Sequence, residues 1–252
     1  MIEVLILSLI QGVTEFLPIS SSSHLILFSK LTNFQNQSLS LDVSLHIGSF
    51  LAVITFFYKD LIKFLKNKDL FIKILISSLP VMILGFLLIQ TDLISELRNI
   101  KVIGWMTLLF GVLLYISDKF NMHKHIESDF TYRSALMIGF FQMISLVPGV
   151  SRSGITITAA RLLKFNRYDA AKISFLLSIP TLAIVSIFGI KNIVSAENMN
   201  ISILNLFSIL LSFVFSLITI KYFLQYIKSF SLDIFVIYRV ILGIVILAFA
   251  YL

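Results

Sequence analysis

Six long apolar runs, at residues 43–58, 70–90, 102–117, 173–190, 203–222 and 234–252, constrain this chain more than any other feature. Each approaches the roughly 20 apolar residues that an α-helix needs to cross the hydrocarbon core of a bilayer. Composition agrees with that reading. Only 13% of residues are charged, 58% are hydrophobic and mean hydropathy is +0.99, whereas a water-soluble domain carries roughly a quarter charged residues. Backbone in lipid must satisfy its own hydrogen bonds, so the expected class is an all-α polytopic membrane protein.

Two further regions are apolar but interrupted. Residues 2–28 break around Pro18 and Ser20 to Ser23, and residues 134–163 break around Pro148-Gly149. Each break leaves two pieces too short to cross alone. Lysine and arginine then assign sides, because they concentrate in cytoplasmic loops. The connections 59–69, 118–133 and 161–172 are basic and read as inside; 91–101 and 191–202 are poorer and read as outside. That alternation holds only if 134–163 enters and leaves on the cytoplasmic side as a re-entrant helical hairpin. Residues 2–28 then form a second hairpin dipping in from outside, and both termini are external. The first ten residues carry Glu3 and no Lys or Arg, which is unlike a removable leader, so they are expected to belong to the mature protein.

The net charge of +7 sits in short loops between apolar runs, a pattern suited to anionic lipid; no nucleic-acid partner is expected. The chain has no cysteine, which excludes disulfides, thiolate metal sites and cysteine nucleophiles. The two halves also resemble one another. Gln11, Pro18 and a serine cluster are echoed by Gln142, Pro148, Ser151 and Ser153, and Ser78-Leu79-Pro80 by Ser178-Ile179-Pro180. One membrane domain over 1–252 is expected, with six full spans and two hairpins arranged as an inverted repeat of about 1–117 and about 134–252. Such repeats bring broken helices tip to tip at the midplane.

Irregular backbone at that depth must be covered by protein or line a watery cavity. The joined tips would enclose Glu15, Ser20 to Ser23, His24, Ser151, Arg152, Ser153 and Thr156. Gln11 and Glu15 are four apart and share a helix face. Arginine at a helix centre costs about 2.5–3.5 kcal/mol even on mild insertion scales, so Arg152 requires an anion, either Glu15 or a bound phosphate. Helices starting at hydroxyl-rich turns present free N–H groups to such an anion. His24 is a candidate general base or nucleophile, and Ser21 would be activated by it if the turn brings them together. His46 reads as structural, and His123 and His125 as solvated.

QGVTEFLPISSSSHL, PGVSRSGITI, FFQMISLVPGVSRSG, the SFLLSIP span and the near-terminal IYRVILG resemble the undecaprenyl-diphosphatase family, also called the bacitracin-resistance family, over essentially the whole chain. The resemblance implies a bacterial inner-membrane enzyme that removes the terminal phosphate of undecaprenyl diphosphate and so recycles the carrier for cell-wall synthesis. It implies that Arg152, with Ser20, Ser151, Ser153 and Thr156, grips the diphosphate, and that Gln11 and Glu15 hold a divalent cation, Mg2+ or Ca2+. Ser21 or His24 would attack or activate the attacker. Gln11 stands where many relatives have Glu, which weakens any cation site, and Ser23 stands where Gly or Ala is usual. Lipid diphosphate and membrane lipid are the implied partners, and a homodimer is compatible. The rival class is a transporter or flippase of a lipid phosphate or phosphate anion, since broken inverted repeats also serve alternating access.

Overall fold

The computed structural model describes residues 2–32, 39–66, 68–89, 91, 96–120, 122–195 and 203–252. In chain order its helices are α1 (Ile2–Thr14), α2 (Ser21–Thr32), α3 (Leu39–Phe56), α4 (Tyr58–Lys66), α5 (Lys68–Ile89), α6 (Ile100–Asp118), α7 (Ile126–Asp129), α8 (Tyr132–Met143), α9 (Arg152–Leu162), α10 (Arg167–Ser195), α11 (Ile203–Tyr226) and α12 (Asp233–Tyr251). Among the described residues there is no strand. Five helices among the described residues, α5, α6, α10, α11 and α12, are long and apolar enough to cross a membrane. The sixth expected span, 43–58, is α3, 18 residues long and at the short end of that range. The protein is an all-α, multi-pass membrane protein.

Both interrupted regions are broken helix pairs. α1 has 13 residues and α9 has 11, so at 1.5 Å per residue each arm extends only about 15–20 Å, well short of a crossing. The arms of each pair pack on one another, and each first arm also packs on a long helix of the other half: α1 on α11, α8 on α5. Glycine permits both approaches. A side chain at Gly12 would strike Phe215 of α11, and one at Gly139 would strike the Ser77 carbonyl of α5. Small residues at such contacts let helices close up where lipid supplies no hydrophobic drive.

α3 and α11 are joined by hydroxyls instead: Ser216 Oγ lies 3.0 Å and Ser212 Oγ 3.2 Å from Ser49 Oγ, and Ser212 Oγ donates to the Leu45 carbonyl at 2.7 Å. An apolar core of Phe16, Phe57, Phe175 and Phe223 lies beneath the first turn, with the Phe16 and Phe175 rings edge to face at 5.3 Å.

The three basic connections gather at one end of the bundle. Asp118 pairs with Arg161 and Arg167, each at 2.8 Å; Lys172 pairs with Asp60 at 2.9 Å; His125 meets Asp169 at 3.1 Å. Lys124 bridges Phe165, so the segments entering α8 and leaving α9 lie side by side, as a re-entrant hairpin requires. The connection expected as a loop at 59–69 is partly helix. In α4, Leu61 packs on the core while Lys59 and Lys63 stay exposed. Alternating faces of this kind make an interfacial helix, a pattern hidden in a reading that counted only its charges.

Candidate functional site

The two tips meet. Arg152 Nη2 donates to Glu15 Oε1 at 2.7 Å and Ser153 Oγ donates to the Leu17 carbonyl at 2.7 Å, bonds that span more than 130 residues of sequence. Both turns end in a serine with left-handed backbone, Ser20 at φ 75° and Ser151 at φ 73°. That conformation costs a non-glycine residue of order 1–3 kcal/mol and persists only where the surroundings hold it. At Ser151 the side chain supplies the hold: its Oγ caps α9 by accepting from the Gly154 N–H at 3.0 Å. Ser20 Oγ lies 3.0 Å from Ser23 Oγ at the start of α2. Two helices therefore begin at adjacent points inside the bundle.

Glu15 is the centre of the cluster. It is 7% exposed. Its Oε2 accepts from Ser21 Oγ at 2.7 Å and from Gln11 Nε2 at 3.0 Å, while Oε1 takes Arg152. Two like-minded donors and one cation satisfy a carboxylate that burial would otherwise penalise. A cavity of about 650 Å³ opens beside it. Its polar wall includes Glu15, Ser20, Ser21, Ser151 and Arg152, and its apolar wall is formed by residues 81–87 of α5 and 181–188 of α10. Those stretches follow Pro80 and Pro180 directly, and several of their side chains, Ile83 and Phe86 among them, face the lipid side of the bundle.

Four of the expected site residues, His24, Ser153, Thr156 and Gln11, do not line the cavity. Among the described residues no hydrogen bond joins His24 to Ser21. Its Nδ1 is 2.6 Å from the Ser20 carbonyl and its Nε2 is 2.6 Å from Tyr238 Oη. A carbonyl only accepts, so Nδ1 carries the proton and Tyr238 donates to Nε2. Both ring nitrogens are spent away from the cavity, and the partner of Ser21 is Glu15. Ser153 and Thr156 are also turned inward. Ser153 Oγ is bonded to Leu17, and Thr156 Oγ1 lies 2.7 Å from Ser174 Oγ and bonds back to the Arg152 and Ser153 carbonyls. Their hydroxyls hold the turn and α9 in place, and neither lines the cavity. Gln11 lies behind Glu15, fully buried, with its Oε1 unpartnered.

That orphan oxygen bears on the divalent cation. Among the described residues no group of three His, Asp or Glu is placed to hold a metal. Glu15 and Gln11 Oε1 offer oxygens of the kind Mg2+ or Ca2+ prefers, too few for a cage made by protein alone but suited to an ion shared with phosphate oxygens.

The structure also brings in residues that the sequence reading missed. Arg239 of α12 is completely buried, and its five N–H donors meet five carbonyls: Pro18 of the first turn, Gly149 and Val150 of the second, and Met106 and Thr107 of α6, at 2.8–3.4 Å. Breaking two helices strands carbonyls in an apolar interior, and one guanidinium satisfies three of them. The signal was available: the cost that singled out Arg152 applies equally to an arginine in the run 234–252. His46 and Gln142 line the cavity as well.

The fold and site define a class: a polytopic α-helical membrane protein in which two broken helix pairs join a carboxylate, a guanidinium and a hydroxyl beside an apolar cleft. Residues 4–245 match the family described as bacitracin resistance protein BacA, and the chain belongs to that family. It is 47% identical to an undecaprenyl-diphosphatase of Pelagibacter ubique (strain HTCC1062) over 251 residues, covering 99% of this chain and 98% of that protein. It is 44% identical over 260 residues to an undecaprenyl-diphosphatase of Chromohalobacter salexigens, covering 98% and 97%, and 38% identical over 264 residues to one of Ruegeria sp. (strain TM1040), covering 100% and 99%.

Proposed function

We propose that this protein hydrolyses undecaprenyl diphosphate to undecaprenyl phosphate and inorganic phosphate, recycling the lipid carrier of cell-wall synthesis and so opposing bacitracin. The observation that carries the reading is Ser21 Oγ at 2.7 Å from a carboxylate that Arg152 also holds. A hydroxyl becomes a nucleophile when an adjacent base takes its proton. Ser21 is accordingly the attacker and Glu15 its base. The Ser21 Oγ–P bond forms at the terminal phosphorus while the bridging P–O bond breaks, and the electron pair leaves on the lipid monophosphate. Water then releases the phosphate.

Arg152 neutralises charge on the phosphoryl oxygens, aided by the starts of α2 and α9, where Ser20 and Ser151 sit. Little covalent assistance is needed beyond positioning and electrostatics in phosphoryl transfer. A divalent cation arriving with the diphosphate would be held by Glu15 and Gln11 and would supply further charge neutralisation. The apolar wall of α5 and α10 receives the prenyl tail. We place the protein in the bacterial inner membrane with the basic end of the bundle cytoplasmic and both termini external, as an inverted repeat whose halves are about 1–117 and about 134–252.

A carrier of lipid phosphate needs binding groups only, and the Ser21–Glu15 pair favours chemistry over transport. Purified protein in detergent, given farnesyl or undecaprenyl diphosphate, is expected to release phosphate. Arg152→Ala should lose about 10²–10³ in kcat, and Ser21→Ala and Glu15→Ala about 10²–10⁴. Wild-type turnover in all three variants would reject the site; absence of phosphate release by the wild type would reject the activity.

A further inference from the structure

The imidazole of His46 opens into the cavity, and the chemistry above does not use it. His46 of α3 has Nδ1 2.8 Å from the Asp42 carbonyl one turn back. Because a carbonyl only accepts, Nδ1 holds the proton and Nε2 presents a lone pair. Among the described residues Nε2 has no hydrogen-bond partner, and the ring lines the cavity with Glu15, Ser21 and Arg152. His24 offers the opposite case, with both nitrogens occupied.

The proton balance of the proposed reaction asks for such a group. In the first step the Ser21 proton passes to Glu15. In the second, water attacks the phosphoserine: a new P–O bond forms, the Oγ–P bond breaks, and Ser21 Oγ recovers its proton from Glu15. One proton of the attacking water still needs an acceptor, and Glu15 is not free until it has returned its own. Resting on the hydrolytic reading, we propose that His46 Nε2 is the second base of the site, taking the proton of the water that cleaves the phosphoserine and passing it to solvent as phosphate leaves.

Glu15 and Arg152 are the charged groups that line the cavity with His46.

The test uses the full chain in detergent with farnesyl diphosphate labelled with ³²P at the terminal phosphorus. His46→Gln is expected to form the phosphoserine normally and cleave it slowly: a burst of about one equivalent of farnesyl phosphate per protein, ³²P retained on acid-quenched protein, and steady-state kcat reduced about 10²-fold with kcat/KM little changed. Imidazole added to His46→Ala should restore part of the rate, which separates lost chemistry from lost folding. Ser21→Ala should carry no label.

A His46→Gln protein with wild-type kcat overturns this proposal while leaving the phosphatase reading intact. So does a slow variant with neither burst nor label. Failure of wild-type protein to release phosphate overturns the reading on which the proposal rests.

Discussion

Arg239 shows how much one side chain can hold. Its donors satisfy carbonyls from both turns and from α6, and a buried polar group left without a partner costs about 1–3 kcal/mol. Arg239→Met should therefore lower stability by several kcal/mol, read as a fall in the thermal midpoint in detergent, with activity lost through the same loosening of Ser20 and Ser151. Arg239→Lys, with three donors for five acceptors, should fall between. Equal midpoints for the three proteins would mean that the turns hold themselves. At this scale Arg152, Glu15 and Ser21 were legible because each is expensive in an apolar run. The inward turn of Ser153 and Thr156 was not, since a hydroxyl beside a turn reads the same whether it meets ligand or backbone. The partners of His24 were hidden for a similar reason: sequence supplies an imidazole but not the neighbours that occupy its nitrogens.

Among the elements, α8 is exposed to a small change. It carries the second turn and lies against α5 with no room at Gly139, whose added side chain would meet the Ser77 carbonyl. Ser77 Oγ also donates to the Ala135 carbonyl at 2.9 Å across the same contact. Gly139→Leu should destabilise the protein by about 1–3 kcal/mol and shift Arg152 relative to Glu15. The expected result is a lower thermal midpoint together with slower phosphate release; a variant as stable as wild type would show that α8 can lift off α5 freely. Both helix breaks were readable, because proline and clustered hydroxyls interrupt a periodic apolar pattern. Helix α4 was not, because lysines at helical spacing look like a charged loop until a neighbouring surface claims their apolar intervals.

For the whole molecule, the cavity joins a charged wall to an apolar one that reaches the lipid face of α5 and α10. A tail lying along that wall would pass Gly85, where an added Cβ meets only Leu146 Cδ2 at 3.6 Å. There is thus space for a larger residue. Gly85→Trp is expected to raise KM for undecaprenyl diphosphate about tenfold, while KM for the short-tailed isopentenyl diphosphate changes little. Equal effects on both substrates would mean that the tail leaves by another route.

Spans, breaks and the basic end of the bundle followed from the order of residues alone, because hydropathy, helix periodicity and the cost of buried charge act over a few turns of chain. Pairings such as Glu15 with Arg152, Leu17 with Ser153 and Pro18 with Arg239 join residues more than 130 positions apart. Those were settled only when helices packed, since a hydrogen bond depends on ångström-scale placement that no local pattern contains.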